Sequence, residues 1–224
     1  MPTTEFSIVI PTLNAAKLLP TTLASVTQAD EIIVVDGGSV DGTVEIAKLQ
    51  GAKVVVGPRG RGPQLIAGAD AAQGPWLIFL HSDTELAPEW YADVRAFVAE
   101  EGNIMKAATF RFVLDDASPQ ARRLERLVAW RVRTLALPYG DQGLLIHRDF
   151  YRKLGGFRPL PLMEDVDLVR RIGRKRLTIL QAAARTSAQR WQSEGWLQRS
   201  LRNLACLALY FLGLPVSLIK RLYG

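Results

Sequence analysis

Several short stretches of this sequence place acids or arginines where the chain reverses direction. Asp36 follows the β-branched run 31–35 (EIIVV) and precedes Gly37, Gly38, Ser39, Asp41 and Gly42. A carboxylate there stands at a strand end beside backbone free to turn tightly, where it can accept hydrogen bonds from a base or a ribose. Turns in any α/β protein also favour Asp and Gly. Asp83 follows a second apolar run, 76–80 (WLIFL), with His81 two residues before it and Glu85 two after. Hard divalent cations take carboxylate oxygens, and a metal shared between such an acid and a diphosphate neutralises a departing nucleotide. Ser82 or Asp83 could equally cap a following helix. The loop 57–62 (GPRGRG) sets Arg59 and Arg61 among three glycines ahead of a helix and suits a phosphate. Glu164, Asp165 and Asp167 cluster after Pro159 and Pro161. Acids are favoured at a helix N-terminus, yet Asp165 or Glu164 could also take the proton of a hydroxyl acceptor.

The elements that would position these residues follow from periodicity. Residues 6–10 (FSIVI), stopped by Pro11, and 31–35 read as buried parallel strands, with a helix over 15–27 between them and another over 43–50. Residues 53–56 make a third strand, 63–72 a helix and 76–80 a fourth strand. This alternation predicts an open, mostly parallel sheet flanked by helices, with ligands at the carboxyl ends of the strands. Further on, the pattern predicts a helix from 89 to about 101, an edge or antiparallel strand over 106–114 and a helix over 120–137. A short strand over 144–147 and helices over 148–154 and 164–174 follow.

At 224 residues, with one cysteine and no biased tract, the chain suits a single α/β core with a C-terminal appendage, and disordered, fibrous and disulfide-stapled classes are excluded. Cys206 is expected to be buried or lipid-facing. The start runs into a strand without a basic stretch and apolar core, which predicts a cytoplasmic protein. The net charge of +6 is uneven: from Leu168 onward eleven Lys and Arg face one acid, Glu194, so the preceding segment is net −4. The uncharged stretch 203–219, broken by Gly213 and Pro215, falls short of the roughly 20 apolar residues of a membrane span. It suits a helical hairpin, either packed on the domain or lying on a membrane with Arg199, Arg202, Lys220 and Arg221 toward headgroups. Without interleaved aromatics the basic residues do not predict nucleic-acid binding.

Taken in order, SIVIPTLN, VVDGGSVDGT, FLHSDT, GDQG and MEDVDL resemble the signature series of the family 2 glycosyltransferases, from about Ser7 to Arg190. The GRGPQ loop and the Arg190-Trp191 pair are similar to those of small stand-alone members. The resemblance implies a GT-A nucleotide-sugar fold over 1–195, a helical segment over 196–224, and a nucleotide-sugar donor with Mn²⁺ or Mg²⁺. It implies that Pro11, Thr12 and Asp36 hold base and ribose, with Asn14, Gly37, Ser39, Arg61, Gln64, His81 and Ser82 also on the donor side. Asp83 matches the last metal-binding aspartate of the DxD motif and Asp165 the catalytic base of an inverting displacement. Asp141, Gln142 and Glu164 fall on the acceptor side and Arg190 or Trp191 at the diphosphate or the acceptor, where a lipid-linked acceptor at the inner face of the plasma membrane is one expectation. The sequence departs from the family where His81 replaces the first acid of DxD and Ile66 replaces a frequent Asn. Two other classes compete. A sugar nucleotidyltransferase would carry its Gly-Arg loop after the first strand, not the third, and a non-catalytic binding module would have no need of both Asp83 and the Glu164-Asp165 pair.

Overall fold

The computed structural model describes residues 5–223. Its first half alternates strand and helix: β1 (Phe6–Thr12), α1 (Leu19–Ser25), β2 (Glu31–Asp36), α2 (Thr43–Leu49), β3 (Lys53–Val56), α3 (Arg61–Ala71) and β4 (Trp76–Phe79). β1, β2, β3 and β4 are mutually parallel, in the order β3-β2-β1-β4. Side chains alternate across this sheet. Ile8 and Ile10 pack with Leu19 and Leu23 on one side, whereas Val9, Ile33 and Val35 pack with Leu65 and Ala69 of α3 on the other. Burial on both faces explains why β1, β2 and β4 read as unbroken apolar runs, whereas β3 lies partly exposed at the edge.

The second half adds β5 (Thr84–Leu86), α4 (Trp90–Val98), β6 (Ala107–Leu114), α5 (Pro119–Leu135), β7 (Leu144–His147), α6 (Arg148–Lys153), α7 (Glu164–Ile172) and β8 (Leu177–Thr186). It ends in α8 (Gln189–Glu194), α9 (Trp196–Phe211) and α10 (Val216–Tyr223). The eight-stranded sheet runs β3-β2-β1-β4-β7-β6-β8-β5. β7 is antiparallel to β4 and β6, β8 is parallel to β6, and β5 is antiparallel to β8.

Two sequence expectations need correction, and two strands were not expected. β1 continues through Pro11 to Thr12, pairing Pro11 with Val35. The Val9 carbonyl faces β4 and accepts from Leu80 N–H; Pro11, two residues on, faces the same way beyond the last β4 pairing, so its missing N–H costs no ladder bond. β5 and β8 carry no expectation from the sequence. β5 is only three residues long, and β8 is alanine-rich (LTILQAAART), so its β propensity is low although Leu180, Ala182, Ala184 and Thr186 alternate into the core. Finally, α3 begins at Arg61 rather than Pro63, which draws the second arginine of the loop into a helical turn.

The C-terminal hairpin packs on the domain. Cys206 and Leu207 of α9 and Ile219 of α10 bury against Leu137, Met163, Val166 and Val169. Arg199 and Arg202 do not reach outward as the sequence suggested. Both donate to Glu194, at 3.1 and 2.6 Å, and Arg199 is buried over the Tyr223 ring. Lys220 and Arg221 remain exposed. The other side of the hairpin is apolar and open, with Leu197, Leu201, Leu204, Leu212, Leu218 and Leu222 all exposed. No helix among the described residues is long and apolar enough to cross a membrane.

Candidate active site

The carboxyl ends of β1 and β4, the first turns of α3 and α7, residues 139–141, α8 and the C-terminal hairpin enclose one cavity of about 600 Å³. Pro11, Thr12, Arg61, Gln64, His81, Ser82, Asp83, Asp141, Asp165, Arg190 and Trp191 all line it. The sequence pointed to each of these residues.

Other candidates stand behind its wall. Asp36 is buried and spends its carboxylate inside the protein, accepting from Gly38 N–H at 2.9 Å, Ser39 N–H at 2.8 Å, Thr12 Oγ1 at 3.1 Å and the Ser39 hydroxyl. Burial acts to raise its pKa, but the bonds from Ser39, Gly38 and Thr12 prevail and hold it below the ordinary value. Asp36 thus shapes the turn carrying Gly37 and Ser39, and that turn is tied to Asn14: Asn14 N–H donates to Ser39 Oγ and Asn14 Oδ1 accepts from Val40 N–H. Gln64 also braces the strand ends, its Nε2 donating to the carbonyls of Thr12 and Val35, both at 2.7 Å. Gln142 is buried and donates to the Phe110 carbonyl.

Asp165 sits in the first turn of α7. Its Oδ2 accepts from Gly140 N–H and its Oδ1 from Val166 N–H, each at 2.7 Å. The turn is entered through Met163, a non-glycine residue in the left-handed region at φ 64°, which is backbone strain at the head of the acid cluster. The neighbouring acids diverge. Glu164, with 0% exposure, points to Arg61 at 3.4 Å, while Asp167 is held by Arg158 and Arg171. Burial raises the Glu164 pKa; Arg61 opposes the rise and Asp165 adds to it. The Arg61 end of α3 is pressed against this region. At Gly62 a Cβ would come within 2.7 Å of the carbonyls of Arg158 and Leu160, so only glycine admits that approach.

His81, Ser82 and Asp83 form the turn from β4 to β5. Thr22 Oγ1 donates to the Ser82 carbonyl and the Asp83 carbonyl accepts from Ser187 N–H, which fixes the turn on both sides. Burial, then the charges of Arg61 and Arg190, keep the His81 pKa well below its ordinary value, so the imidazole is neutral. Asp141 behaves oppositely. Burial, offset by Arg131 and reinforced by Asp165 and Asp83, pushes its pKa up to about 7, and its Oδ1 is buried without a hydrogen-bond partner.

Three carboxylates, Asp83, Asp141 and Asp165, share one cavity with five cations, Arg59, Arg61, Arg190, Arg199 and Lys220, so acids for a metal and bases for phosphate oxygens stand together. That fits a divalent cation taking one or two protein oxygens and completing its shell from a diphosphate. Among the described residues no cluster of three or more metal-binding side chains could hold the ion unaided. The cavity also has walls that the sequence analysis did not foresee. Tyr139 precedes the GDQG stretch, and Asn203, Lys220 and Tyr223 come from the hairpin. Only tertiary packing brings these last three to the site, and no motif marks them.

Comparison with known proteins agrees with this geometry. The sequence pattern described as Glycosyl transferase family 2 matches residues 7–157. A PGL/p-HBAD biosynthesis glycosyltransferase of Mycobacterium bovis is 35% identical over 127 residues, covering 48% of this chain and 50% of that protein. Another M. bovis protein, described only as an uncharacterized glycosyltransferase, is 33% identical over 132 residues, covering 57% of this chain and 59% of its own. The chain spans about half the length of the curated relatives it matches. Among solved structures, residues 1–349 of S. aureus TarS superpose with a TM-score of 0.64 at 18% identity, covering 98% of this chain and 69% of that one. Glucosyl-3-phosphoglycerate synthase from Mycobacterium tuberculosis, in complex with Mn²⁺, UDP and glucosyl-3-phosphoglycerate, gives 0.62 at 21% identity, covering 94% and 81%. These likenesses show a shared GT-A fold. With the family's pattern running over more than half of its length, this chain belongs to glycosyl transferase family 2.

Proposed function

We propose that the chain transfers a sugar from a nucleotide diphosphate donor to a hydroxyl acceptor, with inversion at the anomeric carbon. The observation that carries this proposal is the placement of Asp165, oriented by Gly140 N–H and facing the cavity that Asp83, Pro11 and Thr12 also line. In the proposed reaction Asp165 removes the acceptor proton as the acceptor oxygen bonds to the anomeric carbon. The bond from that carbon to the diphosphate breaks on the opposite face. Pro11, Thr12 and Leu13 form the nucleotide floor, with Asp36, Gly37, Ser39, Asn14 and Gln64 as its support. Arg61 and Arg190 add positive charge near the diphosphate, and neutral His81 can donate a hydrogen bond without repelling them. Asp83 would hold a divalent cation, which when bound supplies charge neutralisation for the leaving nucleotide. Asp141, Gln142, Glu164 and Trp191 lie toward the acceptor, Gln142 and Glu164 as its support.

UDP sugars are the first donors to test, because TarS is solved with UDP-GlcNAc and glucosyl-3-phosphoglycerate synthase with UDP-glucose. The experiment is a thermal-shift screen of UDP, GDP, CDP and dTDP sugars with and without Mn²⁺, followed by donor hydrolysis and transfer assays. Stabilisation that needs one nucleotide together with the metal supports the proposal. Donor binding without any turnover would favour a non-catalytic module, the alternative that His81 in place of an acid makes worth separating.

The acceptor is proposed to be lipid-linked and met at the cytoplasmic face of a membrane, with residues 1–195 as the catalytic unit and 196–224 as its docking hairpin. The support is the outward row of leucines on α9 and α10, beside exposed Lys220 and Arg221. Sedimentation with anionic vesicles tests it: Leu201→Glu with Leu218→Glu should release the protein. Undiminished binding would overturn membrane docking by this face. Truncation is a poorer test, because it would uncover Met163, Val166 and Val169.

A further inference from the structure

Outside the transfer cavity, an open groove of about 510 Å³ runs between the end of α5, the end of α7 and the outer side of α9. Its floor is Leu137, Val169 and Leu207, all buried, and its sides are Leu135, Leu204 and Phe211, which remain 53%, 60% and 47% exposed. Large apolar side chains on the sides of an open groove mark a binding surface rather than ordinary surface scatter. Two cations, Arg170 and Arg174, complete the lining, and no acid contributes to it.

Neither cation is held by a carboxylate among the described residues. Arg174 donates to the carbonyls of Thr134 and Arg133 at 3.0 and 3.3 Å, and Arg170 lies over the Phe211 ring at 4.8 Å. Their charge is left for a ligand. The groove also continues into the exposed row Leu197, Leu201 and Leu204 on α9. An apolar trough with cations at its rim is complementary to an amphiphile with a hydrocarbon tail and an anionic head.

We propose that this groove binds one hydrocarbon chain of an anionic lipid, with the lipid phosphate held between Arg170 and Arg174. The site is separate from the transfer reaction. Val166 faces the cavity and Val169, one turn further along α7, faces the groove, so the packed side of α7 lies between them. Occupancy of the groove therefore does not depend on the donor or on Asp165.

The test is calorimetric titration of the full chain with dodecyl phosphate below its micelle concentration. Dodecyl maltoside and inorganic phosphate serve as separate titrants. We expect saturable one-to-one binding of dodecyl phosphate, at least about tenfold tighter than either control, which is the affinity ratio of 1.4 kcal/mol. Ala208→Trp, which fills the groove from an exposed helix position, should weaken it at least about tenfold, by the same conversion, and Leu204→Gln should weaken it in the same direction. Arg170→Gln should bring dodecyl phosphate close to dodecyl maltoside. The donor-dependent thermal shift should be unchanged in Ala208→Trp, which separates this site from the cavity. Equal binding by wild type and Ala208→Trp would overturn the proposal. So would dodecyl maltoside binding as tightly as dodecyl phosphate, or inorganic phosphate alone doing so. Capture of an amphipathic peptide in place of the amphiphile would overturn it in favour of a protein partner.

Discussion

Asp165 and Gly140 hold each other: the carboxylate Oδ2 accepts the Gly140 backbone N–H at 2.7 Å. A residue on the first turn of α7 is thereby locked to a segment 25 positions earlier. The proposed base keeps its other lone pairs for the cavity, and its orientation does not depend on substrate.

Asp165→Asn can keep the contact with Gly140 through its amide oxygen, at the cost of the bond from Val166 N–H, and it removes the basic site. Turnover should fall by about 10²–10⁴-fold with donor affinity nearly unchanged. Single-turnover rates and donor titration on the same preparation check it, and near-normal turnover would refute the assignment of the base.

Gly140→Ala should be damaging without unfolding the protein. A methyl group there would overlap His81 Nε2 and lie 3.4 Å from Asp165 Oδ2, so the imidazole or the carboxylate must move. Misplacement of about 1 Å at a reacting group can cost on the order of 10²-fold. Assay of transfer beside a melting curve separates this loss from misfolding.

Asp83→Ala should abolish the Mn²⁺-dependent part of the donor thermal shift and leave the metal-independent part. If the variant keeps the full metal response, the cation is held elsewhere.

The raised pKa of Asp141 has a signature in stability. In the metal-free folded chain it titrates at about 7, against an ordinary value of 3.8. Between those values the folded chain keeps a proton that the unfolded chain has released, so this group makes stability fall as pH rises through that window. Asp141→Asn cannot ionise and lacks the fall. Urea unfolding at about pH 5 and about pH 8 should show the variant gaining on wild type at the higher value; equal differences at both would refute the shift.

Ala136 ends α5 in the left-handed region, at φ 51° and ψ 45°. Ala136→Gly should relieve that strain and, after the added flexibility of the unfolded chain, stabilise the protein by roughly 0.5–1 kcal/mol. Thermal melting measures it, and a lowered midpoint would contradict it.

The strand-end part of the cavity, proposed for the donor, was legible because it lies at the ends of apolar runs. Pro11, Thr12, His81 and Asp83 could be placed once residues 6–10 and 76–80 were read as neighbours. Asp36 and Gln64 were legible as important but not as buttresses, since a carboxylate that fills its valences with Thr12, Gly38 and Ser39 has the same sequence signature as one that waits for a ligand. β8 was illegible because alanines give a strand no periodic contrast, so Arg190 was reached through the resemblance alone and not through the elements around it. Lys220 and Tyr223 reach the cavity only because Ile219 packs under Met163 and Val166, a relationship over more than fifty residues that no local pattern carries.

The hairpin that closes the cavity divides the protein's inheritance in two. The family pattern ends at residue 157, whereas Asp165, Arg190, Asn203, Lys220 and Tyr223 all come after it. The end of the cavity proposed for the nucleotide is thus built from the part the family pattern covers, and much of the opposite wall from a tail that packs on α7 rather than on the parallel sheet. Under the proposed reaction, swapping α9 and α10, together with the α7 side chains that pack beneath them, should change the acceptor while retaining the donor.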